Sequence, residues 1–171
     1  MKTLIIAGSP RKGMYSDRIA DMIKEAKGGE IVRLREKKIA PCRGCDMCRK
    51  KNGTLCVFHD DMDELYDKFT SSGTVVLLSP VYWWQVTGQM KLFIDRLYAL
   101  PPEAWKGRRY VVILNGGAES GDVEFRILHD AFNEMFDYLG VDREYLGIGT
   151  SDDKAYTEAL PLLRSFIEEK I

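Results

Sequence analysis

Residues 2–16 read Lys2-Thr-Leu-Ile-Ile-Ala-Gly-Ser-Pro-Arg-Lys-Gly-Met-Tyr-Ser16, an apolar run that passes directly into a polar loop. The apolar residues 4–6 have no alternating polar face. Such a run is typical of a strand that is covered on both sides, as in a parallel α/β sheet. We therefore expect a buried first strand, with a strand-to-helix loop at its carboxyl end.

The loop itself has the residues of an anion site. Gly8 and Gly13 allow the backbone to bend and expose its N–H groups, and Ser9 and Ser16 supply hydroxyls. Ser16 is expected to cap a helix that starts at Asp17. A phosphate bound in this loop would lie at the positive end of that helix.

Two common phosphate motifs do not match the loop. A Walker A loop ends in Gly-Lys-Ser/Thr, whereas Gly13 is followed by Met14 and Tyr15. A dinucleotide fingerprint has glycine where this chain has Pro10. A site for a phosphate monoester, such as that of FMN, remains, and the alternative is an ordinary strand-to-helix turn with capping serines.

The composition indicates one domain and argues against two classes of partner. The chain has 171 residues and is 45% hydrophobic, which suits a single domain over 1–171. Lys plus Arg is 25 and Asp plus Glu is 26, for a net charge of -1, so we expect no nucleic-acid or membrane surface. The apolar stretch after Lys2 stops at Ala7 and no later run could span a bilayer, so we expect a cytoplasmic protein.

The hydrophobic periodicity predicts strands and helices in alternation. After the first strand, further strands are expected at 30–35, 73–79, 109–114 and 145–148. Helices are expected at 17–27, 62–69, 89–97, 122–139 and 155–168. Five strands alternating with five helices predict a doubly wound parallel sheet.

In such a sheet the ligand binds beyond the carboxyl ends of the strands. Three loops should meet there, namely residues 8–16, 80–88 and 115–120. Tyr82, Trp83 and Trp84 in the second loop would suit a planar ring, and the glycines at 116 and 117 let backbone approach a flat cofactor. The alternative for the two tryptophans is burial in the core or in a subunit contact.

All four cysteines lie in one short stretch, as Cys42-x-x-Cys45-x-x-Cys48 followed by Cys56. Disulfides are disfavoured in a cytoplasmic enzyme, which favours metal ligation or redox chemistry. Three thiolates at two-residue gaps are similar to the wrapping of an iron–sulfur cluster, while the distance to Cys56 differs from that in bacterial ferredoxins. The spacing leaves three interpretations open: an iron–sulfur cluster, zinc, or unliganded thiols.

Several motifs occur together in the order of a known family. They are Gly8-Ser-Pro-Arg-Lys-Gly13, Pro41-Cys-Arg-Gly-Cys-Asp-Met-Cys48, Asp60-Asp-Met62, Ser79-Pro-Val-Tyr82 and Gly88-Gln-Met-Lys-Leu-Phe-Ile-Asp-Arg96. In these the chain resembles the NAD(P)H-dependent FMN reductase and iron–sulfur flavoprotein family. The resemblance implies a flavodoxin-like fold with strand order 2-1-3-4-5 and a cysteine-rich insertion at about 36–60, called the cysteine loop below.

The resemblance also implies cofactors, partners and site residues. It implies FMN as cofactor and NAD(P)H as electron donor, with no catalytic side chain required for hydride transfer. The FMN phosphate would lie near Ser9, Arg11, Lys12, Met14, Tyr15 and Ser16, and the isoalloxazine ring near Pro80, Val81, Tyr82, Trp83, Trp84, Asn115, Gly116, Gly117 and Glu119. Members of the family form homodimers or homotetramers, and we expect Trp105 and the 98–102 turn at such an interface.

Two functions follow from the resemblance. The first is an FMN-dependent oxidoreductase that oxidises NAD(P)H and passes electrons to a flavin, quinone or similar acceptor. The alternative is an electron carrier that shuttles electrons between FMN and a 4Fe-4S cluster and exchanges them with a small-molecule or protein redox partner. The resemblance implies that Cys42, Cys45, Cys48 and Cys56 would hold that cluster.

Overall fold

A computed structural model describes residues 2–50 and 55–171. The strands are β1 (Thr3–Ala7), β2 (Glu30–Arg33), β3 (Thr74–Tyr82), β4 (Gln85–Val86), β5 (Arg109–Gly116) and β6 (Arg143–Gly149). Five of them pair in parallel in the order β2-β1-β3-β5-β6, and β4 pairs with the end of β3 in antiparallel fashion. The predicted parallel sheet and its order 2-1-3-4-5 are therefore confirmed for these five strands.

Helices cover both faces of the sheet. They are α1 (Tyr15–Lys27), α2 (Met47–Lys50), α3 (Met62–Ser71), α4 (Gly88–Leu97), α5 (Val123–Leu139) and α6 (Asp153–Lys170), with 3-10 turns at Leu34–Glu36 and Pro102–Trp105. None of the helices in the described part of the chain is both long enough and apolar enough to cross a bilayer.

The side chains of β1 alternate between two cores, as the period of a strand requires. Leu4 and Ile6 belong to the core under α3, α4 and α5, and Ile5 and Ala7 belong to the core under α1 and α6. All five residues of β1 are buried. This two-sided burial is why the strand has no polar face in the sequence, and it confirms the doubly wound architecture.

Several boundaries differ from the predictions. The second strand stops at Arg33 because residues 34–36 turn into a 3-10 helix. The third strand continues past Ser79 to Tyr82, where it gains β4 as an antiparallel partner, so the sheet has a sixth short strand that periodicity did not predict. A two-residue strand is too short to show an alternating pattern. Part of the cysteine loop, residues 51–54, lies outside the described residues.

The expected capping by Ser16 was wrong, and Trp105 is more buried than an exposed interface residue. Helix α1 begins at Tyr15 with Met14 as its N-cap residue, so Ser16 lies inside the first turn and does not cap it. Trp105 is only 5% exposed, and its ring packs edge-on against Phe69 in the core, with centroids 5.0 Å apart. The sequence around Trp105 suits either a surface or a core position. The side chain is buried because the aromatic core under α3 provides rings for it to pack against.

Candidate functional site

The strand register brings four loops to one edge of the sheet. Ala7 pairs with Leu78, Pro80 with Asn115, and Gly116 with Gly149, so the chain leaves β1, β3, β5 and β6 at the same end. A cavity of about 160 Å³ lies between these loops. It is lined by Ser9, Arg11, Met14, Tyr15, Ser16, Pro80, Val81, Tyr82, Asn115, Gly116, Gly117, Thr150 and Ser151.

The first loop is held in shape by the buried carboxylate of Asp17. One oxygen accepts the Gly13 N–H at 2.6 Å, and the other accepts Nη1 of Arg35 at 2.8 Å. Burial acts to raise the pKa of Asp17, but the hydrogen bonds from Arg35 and Gly13 outweigh it and hold the pKa below its ordinary value. Asp17 thus stays ionised and fixes the glycine at the middle of the loop.

Thr87 joins the first loop to the second. Its hydroxyl donates to the carbonyl of Gly8 at 2.6 Å and accepts the Met90 N–H at 3.2 Å, so it caps α4 while it holds the start of the phosphate loop. The Thr87 N–H donates to the Ser79 hydroxyl at 3.2 Å. Thr87 is 1% exposed, and its three hydrogen bonds pair its own hydroxyl and N–H with the buried groups of Gly8, Ser79 and Met90.

Asn115 joins the first loop to the end of β6. Its Oδ1 accepts the Ser16 hydroxyl at 2.9 Å, and its Nδ2 donates to Oγ1 of Thr150 at 3.1 Å. Ser16 is therefore engaged across the cavity floor by a residue 99 positions later in the chain, which explains why it does not cap α1. The Thr150 N–H donates to the Gly116 carbonyl at 2.6 Å and closes the same edge.

The lining is suited to a phosphate. The hydroxyl of the buried Ser9 donates to the Arg11 carbonyl and accepts the Arg11 N–H, both at 3.2 Å. These two bonds hold the turn at the start of the loop. The first N–H groups of α1 lie at the end of this loop. The first turn of a helix offers them no helical carbonyl, so they are available to bind an anion. The guanidinium of Arg11 reaches the cavity and lies 5.9 Å from the centroid of the Tyr82 ring, whereas Lys12 is exposed beside the loop and does not line the cavity.

Trp83 and Trp84 form the tip of the β3–β4 hairpin. Tyr82 pairs with Gln85, and the two tryptophans between them have φ of 51° and 59°. A two-residue turn with both residues in the left-handed region normally uses Asn-Gly, because larger side chains are strained there. The rings meet edge-on with centroids 5.5 Å apart, and they are 88% and 49% exposed, so neither lies in the core.

The structure brings together most, but not all, of the residues expected at the site. Eleven line the cavity; Lys12, Trp83 and Trp84 lie outside its wall, and Glu119 is exposed with its N–H donating to Asp122. Thr150 and Ser151 line it without having been predicted. Their position in the sequence could have identified them, because they directly follow a strand, as the three predicted loops do. Asp17 and Thr87 were also missed as supports of the loop.

None of the described residues of the cysteine loop lines this cavity. Cys42 and Cys45 are exposed, and Cys48 and Cys56 are half-buried and pack against the core. Burial raises the pKa of the Cys48 thiol; Arg49 acts against this, and the charges of Cys56 and Cys42 raise the pKa further. Within residues 2–50 and 55–171, no three side chains of the metal-ligating types converge as in a metal site. The donor set nevertheless suits iron or zinc, because soft thiolates are their ligands.

A parallel sheet in this order, with a cavity between the loops at the carboxyl ends of its strands, defines a flavodoxin-like protein. Residues 1–149 match the NADPH-dependent FMN reductase family, and the chain belongs to that family. It is accordingly an oxidoreductase that uses FMN and NAD(P)H.

Curated relatives include several iron–sulfur flavoproteins. One from Methanocaldococcus jannaschii is 37% identical over 148 residues, which cover 79% of this chain and 73% of the relative. One from Methanosarcina thermophila is 33% identical over 139 residues, covering 76% of this chain and 72% of the relative.

Solved structures confirm the fold. An NAD(P)H:quinone oxidoreductase from Methanothermobacter marburgensis superposes with a TM-score of 0.75 at 16% identity, covering 99% of this chain and 98% of the other. An FMN-dependent NADH-azoreductase from Bacillus anthracis superposes with a TM-score of 0.73 at 20% identity, covering 99% and 97%. At these identities the likeness concerns the fold.

The Asp17 contacts predict a pH-dependent loss of stability. Asp17→Asn should lower the free energy of unfolding at pH 7 by about 1–3 kcal/mol, because it removes a charged acceptor from Arg35 and Gly13. The pKa of Asp17 is lowered by folding, so its contribution is complete above the unfolded pKa of about 3.9 and is lost as the pH falls below that value. Urea unfolding of parent and variant should therefore converge towards pH 3.

The matched control is Asp21→Asn on the same helix, since Asp21 pairs with Arg33 at the surface. We expect it to change stability by less than about 0.5 kcal/mol at either pH. A loss in Asp17→Asn that is the same at pH 7 and pH 3 would contradict the assignment.

The strained hairpin predicts that replacing its two tryptophans increases the stability of the protein. Trp83→Asn combined with Trp84→Gly should stabilise the flavin-free protein by about 1 kcal/mol, because relief of left-handed strain exceeds the loss of one exposed aromatic pair. Thermal unfolding measures the shift. The control is the double variant Trp83→Val with Trp84→Val, which removes the rings but keeps bulky side chains at positive φ, so it should lower the melting temperature. Equal shifts in melting temperature for the two double variants would show that the left-handed backbone is not the cause.

Proposed function

We propose that the chain binds FMN in and above the cavity, oxidises NAD(P)H, and delivers the electrons to a flavin, quinone or similar acceptor. The observation that carries this proposal is the meeting of a phosphate loop, an aromatic hairpin and a glycine-containing strand end at one edge of the sheet. FMN, when bound, supplies the chemistry of hydride acceptance, and the protein supplies binding, orientation and access.

The phosphate end of the site is assigned to the first loop. For a bound phosphate, the Ser9 and Ser16 hydroxyls would turn from the Arg11 carbonyl and Asn115 Oδ1 to donate to its oxygens, with Met14 and Tyr15 as the adjoining wall. Arg11 provides the positive charge within reach of a dianionic phosphate, and Lys12 adds a second charge outside the wall. Asp17 holds the glycine of this loop, so its role is to keep the amides in place and not to contact the phosphate.

The ring end of the site is assigned to the other loops. Pro80, Val81 and Tyr82 form one side, and Asn115, Gly116 and Gly117 form the other, with Glu119 further along the same loop. Trp83 and Trp84 follow Tyr82 outside the cavity wall with exposed rings, and they would narrow the approach of substrates to a bound flavin. We assign no catalytic side chain, because hydride transfer from a nicotinamide to FMN would need no general base from the protein.

The phosphate assignment predicts weaker FMN binding on loss of Arg11. Arg11→Ala should raise the Kd for FMN about tenfold or more, since a charge-assisted bond contributes about 1.5–3 kcal/mol. Ser16→Ala should raise the Kd by a smaller factor, because the Ser16 hydroxyl carries no charge of its own whereas the Arg11 guanidinium does. Fluorescence titration measures both, and Lys24→Ala, on the exposed far end of α1, is the charge-matched control. Equal Kd values for Arg11→Ala and Lys24→Ala would remove this loop from the site.

Activity is tested by the visible spectrum of anaerobically purified protein before and after NADPH is added. Rapid bleaching of the flavin bands is the expected result for an NAD(P)H oxidoreductase. Flavin bands that persist for many minutes in excess NADPH and in excess NADH would reject this function and favour the second candidate.

The second candidate is an iron–sulfur electron carrier. It is favoured by the four thiols on one loop and by the iron–sulfur flavoproteins among the relatives. Cys42, Cys45, Cys48 and Cys56 would hold a 4Fe-4S cluster, which supplies one-electron storage. A redox protein or small molecule would then be its partner, and unliganded thiols or zinc remain the competing interpretations.

The separation of the two sites predicts the result of Cys45→Ser. This variant should lose iron and the broad absorbance of a cluster but keep FMN at one per chain, because Cys45 lies in a different loop from the flavin contacts. Iron analysis and flavin quantification after denaturation measure the two. Simultaneous loss of iron and FMN would show that the sites are not separate.

A homodimer or homotetramer is the proposed assembly. An apolar groove of about 520 Å³ lies between α4, the 3-10 turn at Pro102–Trp105 and the end of α5. Tyr98 and Tyr138 stand at this groove with 53% and 88% exposure, and rings so exposed are favoured at interfaces. The groove supports the expectation that the 98–102 turn is interface material, and Trp105 lines the same groove although its side chain is largely packed in the core.

A further inference from the structure

Arg96 is the most completely buried cation in the described part of the chain, at 1% exposure. It lies in the last turn of α4, and its guanidinium bonds the backbone of the cysteine loop. Nη1 donates to the Ala40 carbonyl at 2.9 Å, and Nη2 donates to the Phe58 carbonyl at 3.1 Å. One guanidinium therefore binds backbone on both sides of the residues that carry the thiols.

Asp60 completes this contact. Its two oxygens accept Nη1 and Nη2 of Arg96 at 2.6 and 3.1 Å, in the forked geometry that is specific to arginine. The same carboxylate accepts the Ala40 N–H at 2.9 Å and the Met62 N–H at 3.0 Å. Ala40 is thus held through both its N–H and its carbonyl.

The position of this contact in the sequence matters for the thiols. Cys42 follows Ala40 by two residues and Cys56 precedes Phe58 by two residues, so all four cysteines lie between the two bound carbonyls. Joining the two ends removes the conformational freedom that would otherwise separate the thiols. Two further cations lie against neighbouring rings: Arg43 lies 4.7 Å from the centroid of Phe58, and Arg49 lies 4.3 Å from that of Tyr98.

The same helix is also connected to the flavin side. Thr87 caps α4 at its start and bonds Gly8 of the phosphate loop, while Arg96 bonds the cysteine loop at its end. A helix of ten residues spans about 15 Å, so α4 fixes the separation between the two loops as a rigid spacer.

We propose that Arg96 is the positioning residue of the cysteine loop: its guanidinium sets the approach of Cys42 to Cys56 and so makes the four thiols able to take up an iron–sulfur cluster. The inference rests on the second candidate function for its consequence in iron binding. Its structural part, the joining of Ala40 to Phe58, stands independently of any metal.

The test uses Arg96→Lys, which keeps the positive charge but not the fork that reaches two carbonyls and a carboxylate. Hydrogen exchange is measured on the FMN-bound protein, over peptides covering residues 39–46 and 56–62. Iron per chain is measured after anaerobic reconstitution with iron and sulfide. The matched control is Arg108→Lys, because Arg108 also bonds two carbonyls, those of Ser72 and Thr70, far from the cysteines.

We expect Arg96→Lys to keep its Kd for FMN within twofold of the parent. Exchange in both peptides should become at least tenfold faster, and bound iron should fall at least fivefold, with neither change in Arg108→Lys. Unchanged exchange in Arg96→Lys, or equal acceleration in Arg108→Lys, would overturn the proposal.

Failure of the iron–sulfur function can be distinguished from failure of the proposed role of Arg96. If the parent protein takes up no iron, the iron–sulfur function fails, and the exchange measurement alone upholds or overturns the role of Arg96. Asp60→Asn is the second variant if Arg96→Lys does not fold, and its exchange is read in the same way, since it removes the charge from the same fork.

Discussion

The pairing of β1 with a parallel neighbour on each side is the constraint on which the rest of the structure depends. Its ladder continues one residue beyond the strand, where the Gly8 N–H donates to the Leu78 carbonyl at 2.8 Å. A Cβ at Gly8 would lie 2.9 Å from the Cβ of Met90, so only glycine lets α4 pack this close to the exit of the strand. The phosphate loop therefore leaves the sheet in a direction fixed by backbone pairing and by a helix from a later part of the chain.

Buried polar contacts, and not apolar packing, then order the loops. Asp17, Thr87 and Asn115 all bond the first loop, at Gly13, Gly8 and Ser16, and the Arg96–Asp60 pair bonds the cysteine loop. Burying such groups is unfavourable unless every partner is present, which makes the arrangement specific.

This division of labour separates the cavity from the cysteine loop. The cavity is built from the carboxyl ends of strands, so its geometry follows from the sheet. The cysteine loop has no strand of its own among its described residues and takes its position from α4. The α4 helix is common to both, and the proposed transfer of electrons between flavin and cluster would depend on the spacing that this helix provides.

Much of the fold could be predicted because its signals are local. Apolar runs without a polar face indicate buried parallel strands, and the rule that ligands lie after strands located three of the four loops at the cavity. The left-handed turn at Trp83 and Trp84 was hidden, since aromatic residues favour strands and a turn of this type normally carries Asn-Gly. The role of Ser16 was misjudged because its partner, Asn115, is distant in sequence.

The sequence by itself determined the order of strands and helices, the phosphate loop and the spacing of the four cysteines, because period and spacing are properties of neighbouring residues. Tertiary structure decided which polar groups hold those loops. Gly8 and Thr87 are 79 residues apart, and Arg96 lies 56 residues from Ala40. Contacts over such distances carry no local pattern, and they arise only when the parallel sheet brings the ends of its strands together.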